Sequence, residues 1–72
     1  MKTVKFFNKN LQGVKTTLEG TFENITNDSD LASNMFFVIG MANMPEDIDF
    51  ENIFNNNLTF ETQYFIMEFV TK

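Results

Sequence analysis

The chain has 72 residues, enough for one small folded domain, and 43% of them are hydrophobic. Ten Asp and Glu against five Lys give a formal net charge of −5, and Arg, His, Cys and Trp are all absent. Without His or Cys the chain cannot build a Ser-His or Cys-His nucleophile pair or the usual zinc site, and without Arg it lacks a bidentate phosphate clamp. We therefore expect a single domain over residues 1–72 that is not an enzyme and binds no cofactor or metal.

The first third of the chain predicts a β-hairpin over residues 1–24. Apolar and polar residues alternate in both halves, which is typical of antiparallel strands with one solvated face. Gly13 can adopt a positive φ in the turn, and Gly20 within the second strand indicates a bulge or the close approach of another backbone. The expected cross-strand pairs are Phe6 with Thr16 and Val4 with Leu18.

A helix is predicted after the polar connection that follows the hairpin. Asn27, Asp28 and Ser29 are each suitable N-caps, because their side chains can accept a hydrogen bond from the first helical turn. The helix is expected to run to residue 43 or 44, since Pro45 disfavours helical geometry in the residue before it. Its apolar face carries Leu31, Met35, Val38, Ile39 and Ala42.

The segment behind the helix predicts a loop with one short helical turn at residues 49–54. Residues 58–70 are rich in Thr, Phe, Ile and Val, which favours a strand. A helix is the alternative for this segment, because one helical face would carry Phe60, Tyr64 and Met67. With the strand, the sequence predicts an α+β fold of the order ββαβ, in which one helix packs on an antiparallel sheet of about three strands.

Four carboxylates lie close together behind the helix, at Glu46, Asp47, Asp49 and Glu51. We call these residues the acidic cluster. They do not fit a calcium-binding EF-hand, because Leu58 falls where the twelfth residue of the loop must be Glu. The cluster either keeps a Phe-rich chain soluble, or imitates the phosphates of a nucleic acid, or binds Ca²⁺ or Mg²⁺ through its carboxylate oxygens. Direct binding of DNA or RNA is not expected, since phosphates repel a chain with a net charge of −5.

The sequence contains more large apolar side chains than one helix and three strands can bury. On a helical wheel Phe36 and Phe37 lie on opposite flanks of the core face, with the small residues Ser33 and Gly40 between them. The last strand is apolar on both faces, and such strands are normally covered on both sides. Either the two Phe fold over the sheet edges or a second copy of the chain covers them. The remaining alternative is that the exposed patch binds a different, unknown protein partner. We expect a homodimer whose interface contains Phe36, Phe37, Gly40, Phe65, Met67 and Phe69.

The hairpin carries a short pattern of residues: a strand that ends Phe6-Phe7-Asn8, a turn at Gly13, and then Lys15 and Thr17-Leu18. With the polar connection and the Met-bearing helix that follow, residues 1–44 resemble short uncharacterised proteins of Gram-positive bacteria and their phages. The resemblance implies no activity and carries over no functional residue. Abundant Asn and Lys without Arg fit the same bacterial or phage origin.

The sequence therefore favours a non-catalytic interaction domain that self-associates through a helix flank and the last strand. The alternative is an acidic inhibitor of phage type that binds a host protein through the acidic cluster. The first Lys residues are not followed by the apolar run of a leader, and the longest apolar run, residues 35–42, is far too short to span a membrane. We expect a cytoplasmic protein without membrane contact.

Overall fold

A computed structural model of the protein describes residues 1–70. The elements in chain order are β1 (Lys2–Lys9), β2 (Lys15–Ile25), α1 (Asp28–Ile39), a short 3-10 turn (Met41–Asn43), α2 (Phe50–Asn56), β3 (Phe60–Glu61) and β4 (Phe65–Phe69). The four strands form one antiparallel sheet in the order β2-β1-β4-β3. The predicted α+β class is confirmed, and the fold has one strand and one helix more than expected.

The turn between β1 and β2 forms as predicted. Gly13 has a φ of +79°, and its N–H donates to the carbonyl of Asn10 at 2.9 Å. The side-chain oxygen of Asn10 accepts hydrogen bonds from the N–H groups of Gln12 at 3.0 Å and Val14 at 2.9 Å. The turn thus uses Gly for its backbone angle and Asn for its side-chain acceptor.

The pairing of β1 with β2 differs from the predicted register. Val4 lies opposite Phe22 and Phe6 lies opposite Gly20, farther along β2 than expected. Three register shifts separate the paired segments, and each adds one residue to β2 relative to β1. One shift adjoins Gly20, where a bulge is predicted, and another contains Asn24, whose φ is +62°. The bulges bend and twist β2, which a simple alternation of residues cannot predict.

Helix α1 begins at a predicted cap and ends earlier than expected. Asn27 is the N-cap, and its side-chain oxygen accepts a hydrogen bond from the N–H of Asp30 at 2.9 Å. Gly40 ends the helix, because it adopts a φ of +87° while its N–H still donates to the carbonyl of Phe36 at 2.9 Å. Ala42, predicted on the core face, is instead exposed in the 3-10 turn.

The C-terminal part of the chain forms two strands rather than one. The hairpin of β3 and β4 turns at residues 62–64, where the hydroxyl of Thr62 accepts from the N–H groups of Tyr64 at 3.3 Å and Phe65 at 3.2 Å. Strand β4 lies between β1 and β3 and is therefore an inner strand. The strand prediction for this segment is confirmed for β4, and the short helical turn predicted at residues 49–54 is present as α2.

The hydrophobic core lies between the sheet and the two helices. Its buried residues come from β1, β2, α1, α2 and β4, so every long element contributes. No polar or charged side chain is buried among residues 1–70. No helix in this part of the chain is long and apolar enough to cross a membrane. The core residues are Val4, Phe6, Ile25, Leu31, Met35, Ile39, Ile53 and Met67.

Lys2 attaches α2 to the sheet. Its ammonium lies 4.3 Å from the ring centroid of Phe54 and 5.6 Å from that of Phe69, and it donates a hydrogen bond to the carbonyl of Phe54. That carbonyl belongs to the last turn of α2, where the helix dipole favours a positive charge. Because α2 has no basic residue in its own last turn, β1 supplies the cation.

Candidate interaction surface

The C-terminal end of α1 exposes several large apolar side chains. Phe37 is 81% exposed, Met41 is 80% exposed and Phe36 is 37% exposed. Gly40 lies between them in the chain at the point where the helix ends. We call Phe36, Phe37, Gly40 and Met41 the helix-end patch. Single exposed apolar residues are ordinary, whereas large contiguous patches of them are typical of interaction surfaces.

The two Phe residues of the helix-end patch contact different neighbours. The Phe37 ring packs edge-on against Phe22 of β2, with 6.3 Å between the centroids. The Phe36 ring lies 5.9 Å from Phe50 of α2. The side chains thus point to opposite flanks of the helix, as their spacing predicts. Of the two rings, Phe36 is the less exposed.

Gly40 leaves an opening in the helix-end patch. A Cβ built on Gly40 would have no atom within 4 Å. The backbone at this position is therefore accessible from outside, and a second chain can approach it closely.

The part of the predicted interface on the last strand faces the core instead. On β4, Phe65, Met67 and Phe69 lie opposite Asn8, Phe6 and Val4 of β1. Met67 is fully buried, and the two Phe are half-buried against the core. Their assignment to an exposed interface is therefore corrected for Met67, which has no surface left for a partner. The cause is the pairing of β4 with β1, which turns this face toward the helices.

The opposite face of the sheet carries its own polar cover. Phe7 lies opposite Leu18 of β2 and Ile66 of β4, so these three residues form an apolar row. The ammonium of Lys15 lies 4.5 Å from the ring centroid of Phe7 and 2.9 Å from Oε1 of Glu68. This ion pair joins β2 to β4 across the row. An apolar partner would have to displace it, which makes this face less suited to docking than the helix-end patch.

The acidic cluster occupies the loop before α2 and the start of that helix. All four residues are exposed, and neither ion pair found among residues 1–70 involves them. Asp49 is the N-cap of α2, and its carboxylate accepts a hydrogen bond from the N–H of Asn52 at 3.0 Å. In the described part of the chain, no group of three or more acidic side chains is placed to hold a metal ion.

Met41 and Phe22 belong to this surface but were not among the predicted interface residues. The helical spacing places Met41 away from the core face, and this is the signal that could have identified it. Phe22 could not be identified in this way, because its contact with Phe37 depends on the bulged register of β2.

Comparisons of the chain with protein-family models, with curated proteins and with solved structures found no match. The likeness of residues 1–44 to short bacterial and phage proteins stays a prediction.

Proposed function

We propose that the protein is a non-catalytic interaction module that self-associates as a two-fold homodimer through the helix-end patch. The observation that carries the proposal is the high exposure of Phe37 and Met41, which lie four residues apart in the chain, on either side of the helix end at Gly40. A cytoplasmic location, expected from the sequence, is part of the same proposal, and fractionation of expressing cells tests it.

The size of the helix-end patch fits a small dimer interface. At about 200 Å² for a fully exposed side chain of this size, Phe36, Phe37 and Met41 together expose about 400 Å². Two copies would therefore bury about 800 Å² of apolar surface. A standard interface buries about 1,600 Å², of which about 56–65% is apolar. The patch supplies most of the apolar area that such a dimer needs, and the surrounding polar surface supplies the rim.

A two-fold arrangement suits the end of the helix. In a symmetric dimer one surface meets the same surface of the other copy, so the two α1 helices cross at their C-terminal ends. Ser33 is exposed and Gly40 has open space where a side chain would lie. The opposing helix can approach between the two Phe side chains, and Phe37 of each copy then packs against the other copy.

The substitution Phe37→Glu tests this interface. We expect the unchanged protein to have a solution mass of twice 8.4 kDa and the variant to be monomeric, because two carboxylates would be forced into an apolar contact. Leu11→Glu is the matched control, since Leu11 is 98% exposed and lies in the β1–β2 turn, away from α1. The control should remain a dimer. Light scattering on a sizing column over a range of concentrations gives the masses.

Circular dichroism and thermal melting of both variants complete the test. If Phe37→Glu unfolds, Phe37 belongs to the core. The solution mass of Met41→Glu then tests the interface, because Met41 is not a core residue. The proposal is contradicted if the unchanged protein is monomeric at every concentration. It is also contradicted if the dimer survives both substitutions in the helix-end patch.

The acidic cluster supports a second candidate function, an acidic inhibitor that binds a host protein in place of a nucleic acid. Its residues are exposed and take part in neither ion pair among residues 1–70. Binding through exposed charges weakens steeply as salt rises, whereas apolar association of two acidic copies does not. Calorimetry with a basic DNA-binding protein at low and high salt distinguishes the two modes of binding. The control is the double variant Glu46→Gln and Asp47→Asn, which lacks two of the four carboxylates of the acidic cluster. Salt-insensitive binding, or full binding by that control, excludes the acidic inhibitor.

A further inference from the structure

The five methionines differ sharply in their access to solvent. Met35 and Met67 are fully buried in the core, and Met44 is half-buried against it. Met41 is 80% exposed within the helix-end patch, and Met1 is 89% exposed at the first strand. Oxidation of a thioether depends on access of the oxidant to sulfur. Met41 is thus the accessible thioether that lies on the proposed interface.

We propose that Met41 is an oxidation site and that its conversion to the sulfoxide dissociates the dimer. The inference rests on the proposed function, since it concerns the same surface. In the reaction the sulfur of Met41 attacks one oxygen of a hydroperoxide, so that an S–O bond forms and the O–O bond breaks. Sulfur is oxidised by two electrons. The transferred oxygen loses its proton and the leaving oxygen takes one up, so the peroxide is reduced to water or an alcohol and the product is the neutral sulfoxide.

The sulfoxide changes the chemistry of the helix-end patch. Met41 carries a flexible apolar side chain, and the sulfoxide adds a strong dipole with an oxygen that needs a hydrogen-bond donor. Its neighbours in the patch, Phe36, Phe37 and Gly40, offer no side-chain donor. Burying such a group without a partner weakens association by about tenfold to a hundredfold per site, and a two-fold dimer contains two sites.

Oxidation and association compete for Met41. The thioether is open in the monomer and covered in the dimer, so oxidation proceeds through the monomer. We therefore expect the rate at Met41 to fall as protein concentration rises above the dissociation constant. The rate at Met1 provides the internal reference, and Met35 and Met67, being buried, should react slowest at every concentration.

The experiment treats the full chain with hydrogen peroxide and follows each methionine by peptide mass mapping and the solution mass by light scattering. We expect Met41 to be oxidised first among the internal methionines. The solution mass should fall to half as the oxidised fraction of Met41 rises. Methionine sulfoxide reductase should restore the dimer. Met41→Leu keeps an apolar side chain, so it should dimerise and should not respond to peroxide.

Each outcome separates the two proposals. A dimer that persists after complete oxidation of Met41, or equal dissociation of Met41→Leu by peroxide, overturns the oxidation inference and leaves the homodimer intact. A protein that is monomeric before peroxide is added overturns both. Oxidation of Met35 or Met67 ahead of Met41 would also overturn the inference, because the burial of those residues would then be wrong.

Discussion

The attachment of α2 by Lys2 can be tested by removing one charge. Lys2→Met keeps a flexible apolar stem and removes the ammonium. The variant loses the cation–π contact with Phe54 and the hydrogen bond to its carbonyl. Methionine can still pack against the Phe69 ring, because a thioether makes favourable contacts with aromatic side chains. The substitution therefore isolates the contribution of the positive charge.

The magnitude follows from the two contacts. A cation–π contact contributes about 0.5–2 kcal/mol, and a hydrogen bond to a charged group about 1.5–3 kcal/mol. Because both involve one half-exposed ammonium, they do not add, and we expect a net loss of about 1–2 kcal/mol. A chain of 72 residues has a total free energy of unfolding of about 4–11 kcal/mol. The loss should lower Tm by about 4–16 °C.

Thermal melting of Lys2→Met against Lys5→Met provides the assay. Both substitutions remove one positive charge, but Lys5 takes part in neither ion pair among residues 1–70 and makes no cation–π contact there. Lys5→Met should cost less than about 0.5 kcal/mol. Hydrogen exchange should accelerate in α2 of Lys2→Met and not in α1. Equal melting temperatures for the two variants, or unchanged exchange in α2, would refute the reasoning.

Two further substitutions test the placement of the core and the end of the helix. Met67→Ala should lower the free energy of unfolding by about 2–5 kcal/mol, because removal of the fully buried side chain leaves a cavity beside Phe6. Denaturant titration measures this loss. A loss below about 1 kcal/mol would argue against the burial of Met67. Gly40→Ala should lower the free energy of unfolding by about 1–3 kcal/mol, because alanine is strained at a φ of +87°. A clash is not the cause, since the added Cβ has open space. If the variant and the unchanged protein have the same Tm, α1 does not end at Gly40.

Features set by neighbouring residues could be predicted from the sequence. The turn at Gly13 and the cap at Asn27 both depend on a side chain or a backbone angle within a few residues. The buried positions of α1 follow from helical spacing, as far as the helix extends. The prediction failed at Ala42 because a Gly inside an apolar pattern can either continue a helix or end it, and spacing alone does not distinguish these outcomes.

Features set by distant pairing could not be predicted. In β4 one face carries Phe65, Met67 and Phe69 and the other carries Ile66 and Glu68. An apolar face of this kind can meet either the helices or a partner chain, and the sequence alone does not say which. The choice is made by β1, which places Met67 opposite the buried Phe6. In the same way the position of Phe22 depends on how many bulges β2 contains. The sequence therefore placed exposed apolar side chains on α1, at Phe36 and Phe37, but it did not show that Met67 of β4 is buried.

The distribution of Lys explains why the two apolar surfaces differ. All four Lys of the described residues lie in β1 and β2, and residues 19–70 contain none. Lys15 covers the row at Phe7, and Lys2 covers the ring of Phe54. α1 has no basic residue in its last turn, so no long cationic side chain of its own lies over Phe37. Among the described residues no Lys therefore lies over a ring of the helix-end patch, and in the proposed two-fold dimer the same surface of a second copy would cover it.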